Sequence, residues 1–338
     1  MKLSAIKKNW KMLAGIALSV LFIFLAFRQV DFSQMGRAFA SADYWLLVPI
    51  LAVIFLGLLL RAWRWQYLLA PIRLVPLPGL FASLVIGYMA NTFLPAHLGE
   101  VIRAYHARKK TGIAASAVFA TIVVERLLDI FALLLLMGLA LVVFPFPGWV
   151  QKSGAIMLVL VVVLFTLLLL MKKYRRQTMA VSGRLTSFLP AAVSAKVNEL
   201  LDQFLNGIVP LKAAGLYPLV GVLSIAIWDC YAITFQLLFI AFHFVNLYHL
   251  PWTAALVALV ITTISVVVPS SPGYIGSYHF LCQLSLGLFA IPKGPALSYA
   301  FVLHGMNIFP VFFLGLFILS REKISLRSFA REKLEAGE

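Results

Sequence analysis

Charged and helix-breaking residues lie together at one point of a chain that is otherwise strongly apolar. Between Asn91 and Arg103, Pro95 and Gly99 interrupt a helix, and Glu100 and Arg103 then follow on one helical face. Ionisable groups inside a bilayer are energetically costly and therefore mark functional sites. Asn91, Glu100 and Arg103 are thus candidates for binding the polar part of a membrane-embedded substrate. An ordinary loop with a surface ion pair is the alternative.

A second charged group, Glu125-Arg126-Leu-Leu-Asp129, lies inside the apolar segment 113–144. Glu125 and Asp129 face one way on a helix, and Arg126 can reach Asp129. A helix of this length is longer than the ~30 Å hydrocarbon layer, so the group can lie at the inner interface or deeper. Two roles are open: a part of the substrate path, or an ion-pair lock between helices.

Two further arginines, Arg61 and Arg64, stand among tryptophans at the end of an apolar run. The five charged residues of the two preceding groups sum to −1, and Arg61 and Arg64 bring the total to +1. Guanidinium groups donate in a fork that suits a lipid phosphate. The alternative for this pair is plain anchoring at the membrane surface.

A glycine- and proline-rich break in the C-terminal half contains Pro272, Gly273 and Gly276. Small residues permit close backbone approach and exposed amides, which can bind an anion; a tight turn between two segments is the alternative. His279 and His304 lie on the two segments that follow. They are candidates for the same substrate site, although an intramembrane histidine is more often a packed, hydrogen-bonded residue.

The composition excludes a water-soluble domain. Hydrophobic residues make up 62% of the 338, charged residues only 12%, and the mean hydropathy is +0.98. The net charge of +16 does not indicate nucleic-acid binding, because the cations cluster at the ends of apolar runs, as the positive-inside rule predicts. The two cysteines form no motif, and neither a metal-ligand cluster nor a nucleotide-binding loop is recognisable. We therefore expect no metal and no cofactor.

The apolar runs and the cations together predict an all-α polytopic membrane protein. The apolar segments are 12–27, 44–60, 79–95, 113–144, 153–171, 215–242, 252–268, 273–290 and 295–319. Six full spans plus two re-entrant helical hairpins of opposite entry place 23 of the 28 lysines and arginines in the cytoplasm. The hairpins are 79–110, entering from the cytoplasm, and 252–290, entering from outside. Broken helices that meet in this way surround the polar cavities of transporters.

We expect one integral-membrane domain, 1–338, in the cell inner membrane, with both termini cytoplasmic. Its parts are an N-terminal half (1–171), cytoplasmic amphipathic helices (172–212), a C-terminal half (213–320) and a cytoplasmic tail (321–338).

Three ordered motifs carry a resemblance to a known family. They are Gly87-Tyr-Met-Ala-Asn91-x3-Pro95-x3-Gly99-Glu100-x2-Arg103, then Glu125-Arg126-x2-Asp129, then Pro272-Gly273-x2-Gly276. This pattern resembles the flippase-like lysylphosphatidylglycerol synthetase transmembrane-region family, which includes the membrane half of bacterial multiple peptide resistance factors and stand-alone relatives. The resemblance implies a multi-pass helical flippase domain with lipid substrates, aminoacylated phosphatidylglycerol being the known case.

The sequence departs from that family in two ways. The soluble aminoacyl-transferase domain is missing from the chain, so synthesis of the lysyl lipid is not implied. His279 and His304 stand where the family often has a Glu and an Arg, which fits the loss of one ion pair and questions the usual lipid identity.

The sequence therefore predicts a lipid flippase, or a transporter of a lipid-linked headgroup, rather than an enzyme. The alternatives are an intramembrane transferase acting on a lipid or polyprenyl substrate, and a non-transporting partner of a lipid-modifying enzyme. The expected partners are membrane lipids, with a lipid-synthesising enzyme as a further candidate; the oligomeric state is left open.

Overall fold

The computed structural model describes residue 15 and residues 17–94, 97–267 and 272–322. Within these ranges the chain forms helices and turns and no strand. The helices are α1 (Ala17–Phe27), α2 (Phe32–Ser41), α3 (Leu47–Leu69), α4 (Leu77–Asn91), α5 (Leu98–Thr111), α6 (Ala115–Val143), α7 (Gly148–Lys173), α8 (Arg175–Thr186), α9 (Ala191–Gly207), α10 (Leu216–Ala241), α11 (Phe244–Leu247), α12 (Ala254–Val267), α13 (Ser277–Gly287) and α14 (Lys293–Glu322). The predicted helix break at Pro95 and the predicted tail, 321–338, beyond Glu322 lie outside the described residues.

Four helices in the described ranges are long and apolar enough to cross a membrane: α3 with the short turn before it, α7, α10 and α14. Each has 26 or 30 residues, against the ~20 that a bilayer requires. Helices α1 and α2 add a fifth candidate if they form one span, although they meet at an angle of 85°. The predicted all-α polytopic membrane fold is confirmed, and the number of six full spans stays a prediction.

The first predicted hairpin is a pair of short antiparallel helices. Helix α4 has 15 residues and α5 has 14, so neither alone spans ~30 Å of hydrocarbon at 1.5 Å per residue. Ser83 of α4 pairs with His106 of α5 (Oγ to Nδ1 2.8 Å), and Gly87 lies against Gly99 and Arg103. A Cβ on Gly99 would lie 2.1 Å from the Gly87 oxygen, so only glycine permits this closeness.

The second predicted hairpin consists of α12, with 14 residues, and α13, with 11, which pack against each other. Between them, Gly273 (φ +71°) and Gly276 (φ +94°) adopt the left-handed backbone that favours glycine. A Cβ on Gly276 would lie 2.6 Å from the Ser19 oxygen of α1. Both glycines are thus required by the turn itself.

The region 172–212 contains the two helices α8 and α9. Helix α8 exposes Val181 and Leu185, and Pro190 caps the start of α9. Helix α9 packs on the start of α6, where Gly207 lies too close to Ala117 to carry a side chain. These amphipathic helices therefore support the end of α6 from which the charged residues follow.

The main hydrophobic core joins α10, α12, α13 and α14 around a set of aromatic rings. Tyr299 of α14 contacts the rings of Phe239 and Phe244 and donates its hydroxyl to the Phe235 oxygen at 2.9 Å. Helix α3 packs along α10, with Gly57 against Cys230. This packing fixes α3, α6 and α10 relative to one another and so positions the charged residues.

Candidate functional site

Three helices bring the charged residues of the sequence motifs into one ionic cluster. Helix α3 contributes two arginines, α5 a glutamate and an arginine, and α6 all three of its charged residues. The members of the cluster are Arg61, Arg64, Glu100, Arg103, Glu125, Arg126 and Asp129. Its formal charge is +1, as the sequence predicts.

Asp129 is the centre of one half of the cluster. Its two oxygens accept from Arg61 (Nη1 to Oδ2, 2.7 Å) and Arg64 (Nη2 to Oδ1, 2.8 Å), and Arg126 approaches to 3.3 Å. Arg64 donates its other terminal nitrogen to the Ser224 hydroxyl of α10 at 2.8 Å. Arg61 and Arg64 are 4% and 0% exposed, so neither is a surface anchor. Burial of these charges is tolerated because each guanidinium has an anionic partner.

Arg103 and Glu125 form the other half and are fully buried. The guanidinium donates both terminal nitrogens to the carboxylate, at 3.1 and 2.8 Å. It also lies 3.7 Å above the ring of Trp65, whose indole donates to Thr121 at 3.0 Å. Arg103 therefore pairs across helices rather than with Glu100 on its own helix. This geometry is that of the ion-pair lock considered from the sequence.

Arg126 is the most accessible arginine of the cluster, with 34% of its side chain exposed. Its Nε lies 2.7 Å from Oε1 of Glu100, and its Nη2 donates to the Tyr88 hydroxyl at 3.1 Å. The same guanidinium approaches Asp129. Glu125 is a third carboxylate near this guanidinium, at 3.5 Å from Nη2. A partly exposed cation with three carboxylate partners can exchange one of them for an anionic ligand.

A cavity of about 550 Å³ opens beside this cluster. Four of the seven cluster members line it, and the buried trio Arg64, Arg103 and Glu125 does not. Most of the remaining lining is apolar, from α3, α6, α7, α10, α12 and α14. The polar lining comprises Arg61, Tyr88, Asn91, Thr92, His97, Glu100, Arg126, Asp129, Trp228, Tyr231, Thr234, Thr262, Thr263, Tyr274, Tyr278, His304 and Asn307.

The turns of the two short helix pairs meet at this cavity. A Cβ on Gly273 would lie 3.3 Å from the Thr92 oxygen, and the Tyr274 hydroxyl lies 3.3 Å from Nδ1 of His97. Asn91, which also lines the cavity, accepts from the Gly99 amide at 2.8 Å and so closes the first turn. The N-terminal and C-terminal motifs, nearly two hundred residues apart in sequence, therefore share one site.

The imidazole rings of His279 and His304 lie 4.8 Å apart, centre to centre. In the described residues each bonds the backbone of the second turn: Gly276 donates its amide to His279 Nδ1 (3.4 Å), and His304 Nε2 donates to the Gly273 oxygen (2.8 Å). The Gly276 amide is therefore engaged by His279. Binding of an anion by this turn stays a prediction. His304 lines the cavity and His279 does not; the side chain of Pro272 lies outside the described residues.

Sequence reasoning missed the aromatic and hydroxyl partners of the cluster. Tyr88 lies inside the first motif, and a count of helical turns from Asn91 would have placed it on the same side. Ser224, Trp228 and Tyr231 lie on one face of α10, four and three residues apart. Nothing in the sequence of α10 links that face to the charged motifs, because the link depends on how α10 packs on α3.

In the ranges that the structure describes, no group of three or more His, Cys, Asp or Glu residues could hold a metal ion. The acids that line the cavity instead meet guanidinium groups. The cavity therefore offers guanidinium and hydroxyl groups beside apolar side chains.

Comparison with known proteins agrees with this architecture. Residues 12–315 match the family described as the lysylphosphatidylglycerol synthase TM region. A relative from Haloferax volcanii, named glycosyltransferase AglD, is 22% identical over 324 residues, which cover 87% of this chain and 51% of the relative. The chain thus spans about half the length of that protein. No solved structure matches it. Because the match extends from α1 to α14 and contains the whole ionic cluster, the chain belongs to the lysylphosphatidylglycerol synthase TM-region family.

Proposed function

We propose that this protein is a flippase, which moves a lipid with an anionic headgroup across the cell inner membrane without covalent chemistry and without a cofactor. The observation that carries the proposal is the cavity, which places the partly exposed Arg126 beside a largely apolar wall. A lipid needs both parts, since its phosphate requires a cation and its chains require apolar contacts.

Arg126 can bind a lipid phosphate by exchanging one of its carboxylate partners for it. Its guanidinium is held by Glu100 at 2.7 Å, by Asp129 at 3.3 Å and by Glu125 at 3.5 Å. An arriving phosphate replaces one carboxylate, and the carboxylate takes the cation back when the lipid leaves. The guanidinium of Arg126 thus keeps an anionic partner throughout, and the charge of the arriving phosphate balances the formal charge of +1 of the cluster. Asp129 is also held by Arg61 and Arg64, so Glu100 is the carboxylate that exchanges.

The two short helix pairs act as re-entrant hairpins in this proposal, with both chain termini in the cytoplasm. Their turns meet at the cavity through Tyr274 and His97, and through Gly273 beside Thr92. Separation of these turns would open the polar end of the cavity toward one leaflet, while the buried Arg103–Glu125 pair holds α5 on α6. Membrane lipids are the substrates, and an enzyme that makes the lipid is a natural partner.

The rival function is an intramembrane transferase, which draws support from the relative named a glycosyltransferase. The chain covers only half of that relative. Glu100 and Asp129, the cavity-lining acids in the described residues, are bound to arginines. A carboxylate held by a guanidinium is a weak general base. The arrangement therefore favours transport, and a non-transporting partner of a lipid enzyme has no need of such a cavity.

The test is reconstitution of the purified protein in liposomes with fluorescent reporter lipids. We expect anionic lipids to exchange between leaflets, unchanged in mass, and Arg126→Gln to lower the rate at least tenfold. The matched control is Lys196→Gln, an exposed cation on α9 that should leave the rate unchanged. Chemically altered lipid would support the transferase, and equal rates with empty liposomes would refute the flippase.

A further inference from the structure

Four residues of the cavity wall have a buried donor without a hydrogen-bond partner among the described residues: Arg61 (Nε), Arg126 (Nε), Thr262 (hydroxyl) and Trp228 (indole N–H). The indole is the one of these four that carries no charge and cannot also accept. Trp228 is 7% exposed, and its indole N–H finds no hydrogen-bond partner among the described residues. Buried polar groups are almost always paired, so an unpaired one requires an explanation. Because Trp228 lines the cavity, a ligand bound there can supply the missing acceptor.

Trp228 is connected to the ionic cluster through its neighbours on α10. Ser224, one turn earlier, binds Arg64, and Tyr231, less than one turn later, lies 5.6 Å from the Trp228 ring, centre to centre. The Tyr231 ring in turn lies 5.5 Å from the guanidinium of Arg61. A headgroup whose phosphate reaches the arginines can thus extend a second polar part along this face toward Trp228.

The indole N–H decides what that second part can be. It donates and cannot accept, so it binds a hydroxyl or ether oxygen but not an ammonium group, which also only donates. The cavity is also far larger than the five heavy atoms of a phosphate group, which leaves room for such a substituent.

The acids of the cavity argue against a cationic headgroup. Glu100 lies 2.7 Å from Arg126, and Asp129 lies 2.7 Å from Arg61. Residues 95–96 and 268–271, which the structure does not describe, contain no Asp or Glu. An ammonium group would therefore have to take a carboxylate from an arginine, in a cluster whose formal charge is already +1.

We propose that the cavity selects a headgroup in which a phosphate is esterified to an uncharged polyol, and disfavours an aminoacylated one. The phosphate pairs with Arg126, and a polyol oxygen accepts from Trp228. The inference rests on the proposed function in so far as the cavity is the lipid site. Glycerol and a hexose share the required chemistry.

The test is binding of soluble short-chain ligands to the purified full chain in detergent, measured by calorimetry. The ligands are dihexanoyl phosphatidylglycerol, a hexosyl phosphodiester of a short prenol, dihexanoyl phosphatidic acid, and lysyl-dihexanoyl phosphatidylglycerol. We expect one of the two polyol ligands to bind at least tenfold more tightly than the lysyl ligand, and the tighter of them identifies the polyol. Equal or tighter binding of the lysyl ligand overturns the proposal.

The Trp228→Phe variant keeps the ring and removes the N–H. It should weaken the polyol ligand about five- to tenfold and leave phosphatidic acid unchanged, whereas Arg126→Gln should weaken both. The matched control is Trp45→Phe, since Trp45 is 69% exposed. An equal loss for phosphatidic acid and the polyol ligand in Trp228→Phe refutes the role of the indole.

These outcomes separate the inference from the flippase itself. The ligand series on the unmodified protein needs no variant, so the selectivity can be refuted even if Trp228→Phe does not fold. Selective binding without lipid exchange would refute the proposed flippase function and support the proposed headgroup selectivity. Lipid exchange with equal binding of all four ligands would support the flippase function and refute the headgroup selectivity.

Discussion

The buried pair Arg103–Glu125 gives the sharpest test of how the ionic cluster divides its roles. Both side chains are fully buried, they share two hydrogen bonds, and neither lines the cavity. Removal of one partner from such a pair costs ~3–5 kcal/mol, because the other charge is left uncompensated. We therefore expect Glu125→Gln to lower the free energy of unfolding by about 4 kcal/mol, roughly a thousandfold in the unfolding equilibrium. Arg103→Met should cost less, because Glu125 keeps Arg61, Arg64 and Arg126 at 3.5 to 3.9 Å.

The double variant Arg103→Met/Glu125→Gln restores the balance of charge. Its loss should resemble that of one single variant rather than the sum, so the coupling energy should be about as large as the loss in the other single variant. The assay is unfolding by titration with SDS in mixed micelles, followed by tryptophan fluorescence. The matched control is Lys196–Glu199, a pair joined at 3.1 Å on the exposed face of α9, whose disruption should cost less than ~1 kcal/mol.

Two results would contradict this reasoning. Additive losses in the double variant would mean that the pair is not an energetic unit. Singly substituted Arg103 or Glu125 proteins with normal stability and no lipid exchange would place the pair in the substrate path, in place of the lock. Arg103→Lys refines the test, since it keeps the charge but loses the fork and the stacking on Trp65.

The remaining predictions concern packing, topology and one exposed acid. Gly99→Ala should separate α4 from α5 and lower the melting temperature in detergent, whereas Gly138→Ala, with open space around its Cα, should not. A cysteine placed near Lys109 should react with a membrane-impermeant maleimide only from the cytoplasm, and one near Lys293 only from outside. Reaction of the Lys109 site from outside would overturn the hairpin topology. Asp229 lies exposed near the middle of α10. Asp229→Leu should therefore stabilise the protein in bilayers by ~2–3 kcal/mol, as measured by unfolding in bicelles. A loss of stability would indicate a partner for this carboxylate.

Much of the site could be predicted because charge in an apolar chain is a strong signal. Glu100, Arg103, Glu125, Arg126 and Asp129 stand out as costly residues, and the structure brings all five into one cluster. Which of these residues line the cavity and which are buried away from it could not be predicted. Which arginine meets the cavity depends on the rotation of α5 and α6 about their axes, and that rotation is set by packing between helices.

The 85° bend between α1 and α2 also escaped the sequence reading. Residues 28–43 lie between the apolar segments 12–27 and 44–60 and belong to neither, but Asp31 accepts from the Ser33 amide at 2.8 Å and the Gln34 amide at 3.1 Å and so starts a new helix. The hydrogen-bond donor Trp228 in the cavity wall could not be predicted for a different reason. Trp228 is an ordinary apolar residue of α10 by sequence, and only its unpaired N–H at the cavity distinguishes it.

The distribution of the ionic cluster along the chain also constrains how the protein is made. Arg61 and Arg64 leave the ribosome 68 and 65 residues before Asp129, the acid that neutralises them. At ~5–20 residues per second, this is a delay of ~3–14 s. Isolated arginines are costly at depth in lipid, so we expect α3 to stay at the membrane interface, or beside the translocation machinery, until α6 arrives. We therefore expect several helices of this protein to insert together, and a truncation before α6 should leave α3 outside the bilayer core.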